Sequence, residues 1–145
     1  TNVKGFKASL CTERNIGKAA AKLTYAFANA TVPKVNVIAG EAFGSAYVIM
    51  NSKGIGADLV YAWKDAKVGM MDASLAAKVM YADAATQQEK AAEYATLQDS
   101  VDAAAARGYV DTVIEAQDTR KYVIGAFEML FTKREDRPAK KHGTV

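Results

Sequence analysis

Hydrophobic residues near the N-terminus repeat with the period of an α-helix. Over residues 15–30 they follow one another at intervals of four, three, four and three positions: Ile16, Ala20, Leu23, Phe27 and Ala30. This spacing places them on one face and predicts an amphipathic helix. Pro33 ends the helix, because the residue before a proline is pushed into extended geometry. The alternation that follows over residues 34–39, with Val35 and Val37 on one face, predicts a short strand.

The rest of the chain alternates predicted strands and helices. Strands are predicted over residues 58–63, 67–71 and 110–114, and the glycine-rich stretch 40–45 is predicted to be a turn. Helices are predicted over residues 46–53, from Asp72 or Ser74 through Met80, from the capping-box spacing of residues 86–89 to Arg107, and from Asp118 or Thr119 onwards. This alternation favours an α/β fold with partly parallel pairing.

Two features of the predicted helices can be tested directly in a structure. Gly54 and Gly108 are expected just past the ends of the second and fourth helices, where a left-handed residue commonly follows a helix. The apolar residues of the last helix are expected to face the core: Val123, Phe127, Leu130 and Phe131.

Length and composition fit one globular domain with a basic tail. The chain has 145 residues, 50% hydrophobic and 24% charged, as in a single folded domain. We assign residues 1–132 to the domain and 133–145 to the tail. The basic residues of the tail are Lys133, Arg134, Arg137, Lys140 and Lys141. The net charge of +3 is too small to indicate nucleic acid binding, and no apolar run approaches the ~18 residues of a membrane span.

Scarce cysteine and histidine limit the chemistry that the chain can perform. Cys11 is the single cysteine, which excludes an internal disulfide and a cysteine cluster for zinc and suits a reducing cytoplasm. His142 is the single histidine and lies in the tail, so we expect no histidine-based triad and no metal site in the fold. Catalysis would depend on other groups.

The segment from Val35 to Met50 is the strongest candidate for a chemical site, because a predicted strand leads through two glycines into a helix. The main-chain N–H groups of Ser45, Ala46 and Tyr47 would have no partners within that helix. They could hold an oxyanion without any charged side chain. The pattern is neither a GxGxxG fingerprint nor a P-loop, and a tight turn without a ligand is an equally simple interpretation.

Other candidate residues have simpler structural explanations. Ser45 could be a nucleophile, but the segment lacks a G-x-S-x-G elbow and a partner base. Asp58, Asp65 and Asp72 recur every seven residues, yet predicted strands and turns separate them, which favours turn or capping roles. Glu41 could position a ligand, but a solvated turn carboxylate is the favoured interpretation.

The sequence from Lys22 to Trp63 resembles the carboxyltransferase component of biotin-dependent acyl-CoA carboxylases and related decarboxylases. Members of that family show a Y-A-x-A-T-V-P-K segment, a glycine-rich A-Y-G-G-A-Y-type turn, a G-A-D segment and an A-W pair. The matching positions here are 25–34, 42–47, 56–58 and 62–63, with later matches at 105–111, 119–120 and 140–143. The resemblance covers nearly the whole chain.

This resemblance implies a crotonase-like α/β fold, built from ββα units wound into a superhelix. It identifies the chain as most of a C-terminal carboxyltransferase domain that lacks its first strand or strands. The implied function is that of a subunit or C-terminal half of a biotin-dependent acyl-CoA carboxyltransferase, which transfers a carboxyl group between carboxybiotin and an acyl-CoA. Alternatives are the same module in a biotin-dependent decarboxylase and a non-catalytic assembly subunit of such a complex.

The resemblance also implies which residues and partners take part. The backbone oxyanion hole falls on Ser45 and Ala46, with Ser45 standing where the family usually has glycine. Substrate contacts fall on Phe43, Gly44, Tyr47 and Val48, the last being an apolar residue at a position that often selects acyl length. The expected partners are an N-terminal carboxyltransferase domain or subunit, a biotin carrier protein and further copies in an oligomer. Biotin on that carrier and acyl-CoA as substrate are expected, with no metal and a cytoplasmic location.

Overall fold

The computed structural model describes residues 1–143 and shows an α/β fold in which short parallel strands alternate with helices. The strands are β1 (Val35–Ile38), β2 (Glu41–Phe43), β3 (Leu59–Trp63), β4 (Lys67–Gly69) and β5 (Thr112–Ile114). The helices are α1 (Leu10–Asn29), α2 (Gly44–Val48), α3 (Ala73–Met80), α4 (Ala84–Tyr94), α5 (Val101–Ala106) and α6 (Thr119–Met129). The predicted α/β class is confirmed.

Two consecutive β-β-α units build the centre of the fold. In the first unit β1 and β2 lead into α2, and in the second β3 and β4 lead into α3. The first strands of the two units pair in parallel within the sheet β1-β3-β5, and the second strands pair in parallel as β2-β4. Each unit therefore contributes one strand to each of two sheets, a repeat that the amino-acid sequence does not display.

Strand β3 lies at the centre of the three-stranded sheet and is covered on both faces. Val60 and Ala62 point into the larger core cluster, together with Ile38 of β1. Tyr61 points to the opposite face, where it packs with Ile114 and with residues of α6. Because alternate residues of a strand point to opposite faces, the unbroken apolar run of β3 fits a strand buried on both sides.

Helices α1 and α2 have boundaries that differ from the sequence prediction. Helix α1 begins at Leu10 rather than at residue 15, because the Ser9 hydroxyl accepts a hydrogen bond from the Thr12 N–H and caps it. Helix α2 ends at Val48, and Asn51, with φ +58°, takes the left-handed conformation that was expected at Gly54. Asn commonly adopts this conformation, because its short polar side chain tolerates it.

The predicted continuous helix from residue 86 to Arg107 is also wrong. The cap is Asp83, whose carboxylate accepts from the Ala85 N–H, so the residues with capping-box spacing lie inside α4. A π-helical turn (Ala95–Asp99) follows α4, and the chain then breaks at Ser100, which caps the separate helix α5. Gly108 follows α5 with φ +81°, as predicted.

The predicted core-facing stripe of α6 is wrong for its two phenylalanines. Val123 and Leu130 are half-buried, but the helix rests on the sheet through Tyr122 and Ala126. Ala126 is the buried residue of α6, whereas Phe127 is 47% exposed and Phe131, just past the helix, is 81% exposed. Close approach of the small Ala126 to the sheet turns the larger apolar side chains outwards. The helical period was identified correctly, but the sequence did not indicate which side of α6 faces this chain's core.

Asp58, the residue before β3, forms hydrogen bonds with two segments that are distant in the sequence. Its carboxylate accepts from the Lys34 N–H at 2.7 Å and from the Lys133 ammonium at 2.9 Å. Burial alone would raise the pKa of Asp58, but the hydrogen bond from Lys133, with that from Lys34 and both positive charges, lowers it below its usual value. The start of the predicted tail is thus anchored to the domain. The division at residue 133 stays a prediction, and residues 144–145 lie outside the described part.

We expect Asp58→Asn to destabilise the fold by about 1–3 kcal/mol, because a charge-assisted acceptor is lost beside a nearly buried ammonium. Because the folded-state pKa lies below the usual 3.8, the difference should be complete at neutral pH and vanish as pH falls through that folded-state pKa. Urea unfolding of both proteins across this pH range measures it. The matched control is the exposed Glu128→Gln, and an equal loss in that variant would contradict the assignment.

Asp99, at the end of the π-helical turn, is a buried carboxylic acid. The residue is 2% exposed, and its Oδ1 has no hydrogen-bond partner among the described residues. Its carboxylate lies so close to Gly69 that a side chain at position 69 would collide with it. Burial, and then the negative charge of Asp72, raises the pKa of Asp99 to about 6, although Lys67 and the Ala73 N–H act in the opposite direction.

Asp99 should make stability fall as the pH rises from about 4 to about 6. In this window the folded protein binds a proton at Asp99 that the unfolded chain has released, so folding becomes less favourable as protons are withdrawn. Asp99→Asn should remove this slope and be the more stable protein at pH 7. Urea unfolding at several pH values, with the exposed Asp65→Asn as control, tests this, and an unchanged slope in Asp99→Asn would refute it.

Candidate functional site

The junction between β2 and α2 has a backbone that requires glycine. Gly44 has φ +63°, and a Cβ atom at this position would lie 3.0 Å from the main-chain oxygen of Met70. A side chain there would be strained by the dihedral angle and crowded by the neighbouring segment. Glycine therefore lets the chain turn sharply from the strand into the helix while the loop after β4 packs against it.

The predicted turn over residues 40–45 proves to contain a strand. Glu41–Phe43 pairs in parallel with Lys67–Gly69, and α2 starts immediately at Gly44. Helix geometry leaves the N–H groups of Gly44, Ser45 and Ala46 without an acceptor one turn earlier. The donors that we expected at the helix start are thus shifted by one residue towards the N-terminus, and they include both Ser45 and Ala46.

A pocket of about 470 Å³ opens beside this junction. It is lined by Gly44, Tyr47, Val48, Ser52, Gly54, Val68, Gly69, Met70, Tyr94, Gln98, Ala104, Arg107 and Tyr109. Its walls come from α2, the end of β4, the π-helical turn and the turn after α5, which are far apart in the sequence. The volume lies in the range of ~300–1,000 Å³ that is common for small-molecule sites.

The structure brings only some of the predicted site residues to the pocket wall. Gly44, Tyr47 and Val48 line it. Phe43 is buried in the core behind the junction. Ser45 is exposed and Ala46 is buried, and neither residue is part of the pocket lining. The structure therefore does not bring Ser45 and Ala46 to the pocket wall, and their role as main-chain donors stays a prediction.

Sequence reasoning did not assign a second group of pocket residues. Arg107 and Tyr109 belong to the segment 105–111 noted for its resemblance, and Tyr94 and Gln98 precede it in α4 and the π-helical turn. The guanidinium Nη2 of Arg107 donates to the Leu97 carbonyl at 2.9 Å, which holds this segment against the turn. The helix break at Ser100 brings these residues beside α2, which is distant in the sequence. A local sequence pattern could not have predicted that they share a pocket.

The other candidates have structural roles. Asp58 holds the start of β3, and Asp72 caps α3 by accepting from the Ser74 N–H. Glu41 forms an ion pair with Lys4 at 3.1 Å. Within residues 1–143, the acidic, cysteine and histidine side chains form no group of three that could hold a metal ion, and no described helix is long and apolar enough to cross a membrane.

Comparisons with known proteins agree with the resemblance seen in the sequence. The family model described as carboxyl transferase domain matches residues 1–145. A putative propionyl-CoA carboxylase beta chain of Bacillus subtilis is 45% identical over 99% of this chain and 30% of its own length. The methylmalonyl-CoA decarboxylase subunit alpha of Propionigenium modestum is 41% identical over the same shares.

A solved structure supports the same assignment. The crystal structure of transcarboxylase 12S, described as a hexamer assembly with methylmalonyl-coenzyme A bound, matches 99% of this chain with a TM-score of 0.93 and 42% identity. The match covers 29% of that protein's chain, so this chain spans about 30% of the length of its relatives. The expected crotonase-like fold is confirmed, and the chain belongs to the carboxyl transferase domain family.

Proposed function

We propose that this chain forms the biotin-facing half of an acyl-CoA carboxyltransferase, which transfers a carboxyl group between carboxybiotin and an acyl-CoA. The observation that carries the proposal is the β2–α2 junction at the edge of a pocket, in a chain that matches the carboxyl transferase family throughout. Relatives named for propionyl-CoA and methylmalonyl-CoA favour a short-chain acyl substrate.

This carboxyl transfer depends on hydrogen-bond donors more than on acidic or basic side chains. The transferred carbon exchanges its bond to a ureido nitrogen of biotin for a bond to the acyl α-carbon, and the α-proton ends on that nitrogen. Negative charge builds up on the ureido oxygen while neither bond is complete. We assign the N–H groups of Ser45 and Ala46 to that oxygen, because donors fixed at a helix start need no reorganisation. A fold without an internal histidine suits this task.

The pocket is large enough for the fused bicyclic ring of biotin. Its volume of about 470 Å³ exceeds what a small fused bicycle needs. Gly44 allows the ligand to approach the main chain, while Tyr47 and Val48 supply side-chain surface. We assign ring contacts to Gly44, Tyr47 and Val48, and only a supporting role to the buried Phe43. Biotin would arrive on a separate carrier protein or domain and would supply the ureido group that carries the carboxyl.

The second candidate function is decarboxylation by the same module. Relatives named as methylmalonyl-CoA decarboxylase alpha subunits, from Propionigenium modestum and Veillonella parvula, are 41% and 42% identical to this chain. Both activities use one carboxyl transfer in opposite directions, so the junction and pocket would serve either. Carboxyl flux measured in both directions with the assembled enzyme distinguishes them.

We further propose that the chain works within an oligomer in the cytoplasm. Ile124 and Phe127 of α6 and Phe131 just past it are exposed, and with the half-buried Val123 they form one contiguous apolar patch. Contiguous apolar patches, unlike scattered apolar residues, often mark interfaces. An N-terminal carboxyltransferase domain and a biotin carrier protein are the proposed partners, because the family's active site joins two carboxyltransferase domains. The single cysteine favours the reducing cytoplasm.

These 145 residues expressed alone should show no carboxyl transfer, because the acyl-CoA-binding half of the site lies outside them. Adding the matching N-terminal domain should restore transfer from a malonyl-type CoA to free biotin, measured with a labelled carboxyl group. Transfer by the purified chain alone would contradict the division of labour. If a folded, assembled complex showed no transfer in either direction, the chain would be a non-catalytic assembly subunit.

Ser45→Gly should keep transfer within about tenfold of the parent enzyme, which corresponds to ~1.4 kcal/mol. Glycine keeps the main-chain N–H that we assign to the ureido oxygen. Ser45→Pro should abolish transfer, because it removes that N–H from a position in the first helical turn where proline is otherwise tolerated. The loss of one such donor typically costs ~2.7–4 kcal/mol.

The two Ser45 variants control for each other. Circular dichroism of both must match the parent, so that loss of transfer reports on the site and not on folding. A folded but inactive Ser45→Gly protein would mean that the hydroxyl itself takes part in the chemistry, against the main-chain assignment.

A further inference from the structure

The formal charge in the pocket lining is positive. Arg107 is the only formally charged residue among the described residues that line it, and no carboxylate contributes to that lining. Tyr47, Tyr94 and Tyr109 bring three phenol groups to the same walls. A pocket lined by one cation, a few uncharged polar residues and apolar side chains is suited to a ligand that combines an apolar body with an anionic oxygen group.

Tyr47 supplies an independent indication of a ligand. The residue is 7% exposed, and its hydroxyl is a buried polar atom without a hydrogen-bond partner in the described chain. Buried hydroxyl groups usually have a partner, because an unsatisfied one costs free energy. Burial, and then the neighbouring Tyr109, raises the pKa of Tyr47, so the phenol keeps its proton and is a donor. An acceptor that displaces the side chains covering it would satisfy this hydroxyl.

The guanidinium of Arg107 has hydrogen-bond donors that are not used within the described chain. Its Nη2 donates to the Leu97 carbonyl, which fixes the guanidinium beside the π-helical turn but uses only part of its donor capacity. Arg107 forms no ion pair with a described acidic residue, although Lys53, Lys64, Lys90 and Lys133 each form at least one. Arg107 is therefore an exposed cation at the pocket wall, held by the Leu97 carbonyl and without an ion-pair partner among the described residues.

We propose that Tyr47 and Arg107 form an anion subsite that binds the carboxylate group under transfer. The inference rests on the proposed function for the identity of that group. The carboxylate could be the one attached to the ureido ring or the one on a malonyl-type acyl-CoA, since these are the two ends of the same transfer. Main-chain donors at Ser45 and Ala46 would hold the ureido oxygen, and the side chains of Tyr47 and Arg107 would hold the carboxylate.

Two CoA esters that differ only in this carboxylate provide the test. Methylmalonyl-CoA and propionyl-CoA are titrated calorimetrically into the carboxyltransferase assembled with its acyl-CoA-binding partner. Tyr47→Phe and Arg107→Gln should each weaken methylmalonyl-CoA about tenfold, the typical worth of a hydrogen bond to a charged group, and leave propionyl-CoA within twofold. Arg107→Lys should recover part of the loss, because it restores the positive charge without the planar fork.

The matched control is Tyr61→Phe, which removes the hydroxyl of a buried tyrosine that lies outside the pocket, against Tyr122. It should bind both esters like the parent. In parallel, the KM of carboxylated biotin carrier is measured for transfer to propionyl-CoA. If the variants raise only the KM of the carboxylated carrier, the subsite belongs to the biotin end. If they weaken only the affinity for methylmalonyl-CoA, it belongs to the acyl end. Either result supports the proposal.

Two results would overturn the subsite. One is unchanged affinity for both carboxylated ligands in Tyr47→Phe and Arg107→Gln. The other is an equal loss for methylmalonyl-CoA and propionyl-CoA, which would indicate a packing defect. Failure of the proposed function is distinguishable, because it would appear as absent transfer in the parent enzyme, whereas the calorimetric comparison reports on the subsite without turnover.

Discussion

Burial of both faces of β3 is the constraint on which the rest of this structure depends. The strand pairs in parallel with β1 on one edge and β5 on the other, so its backbone hydrogen bonds are satisfied on both sides. Val60 and Tyr61 then lie in different core clusters although they are adjacent in the sequence. Once β3 is in place, the second sheet must lie on one side and α6 on the other.

Polar anchors at the start of β3 set its position along the sheet. Asp58 binds the start of β1 and the segment after α6, and the carboxylate of Asp111 accepts from the Val60 N–H at 2.8 Å and from the Lys53 ammonium. These carboxylates fix the register of β3 against β1 and β5. The same register places β4 beside β2, and this pairing brings Met70 and Gly69 against the β2–α2 junction.

The pocket follows from that arrangement and from the interruption of the helix before α5. A continuous helix from Ala84 to Arg107 would run straight past the junction. The π-helical turn and the extended backbone of Ser100, with ψ 143°, redirect the chain so that Tyr94, Gln98 and Arg107 share a cavity with Tyr47. The buried Asp99 lies at this same break. π-Helical turns are often found at functional sites, and this one shapes the pocket wall.

The amino-acid sequence by itself determined the element types and the junction. Hydrophobic periodicity, Pro33 and the glycines at 44 and 108 act locally, so strands, helices and the strand–turn–helix segment could be predicted from nearby residues. The family resemblance added the crotonase-like fold and assigned Gly44, Tyr47 and Val48, which do line the pocket. Local signals failed where two caps competed, as at Asp83 and Thr86, since capping strength alone does not choose between neighbouring candidates.

Tertiary structure alone decided three further features. It selected the side of α6 that faces the core, because a small Ala126 can approach the sheet where Phe127 cannot. It placed Arg107 and Tyr47 in the lining of one pocket, across a chain separation that no local pattern spans. It also buried Asp99 and left its Oδ1 unpaired among the described residues. Each feature depends on packing between distant segments, and contacts of that kind are set by the whole fold and not by neighbouring residues.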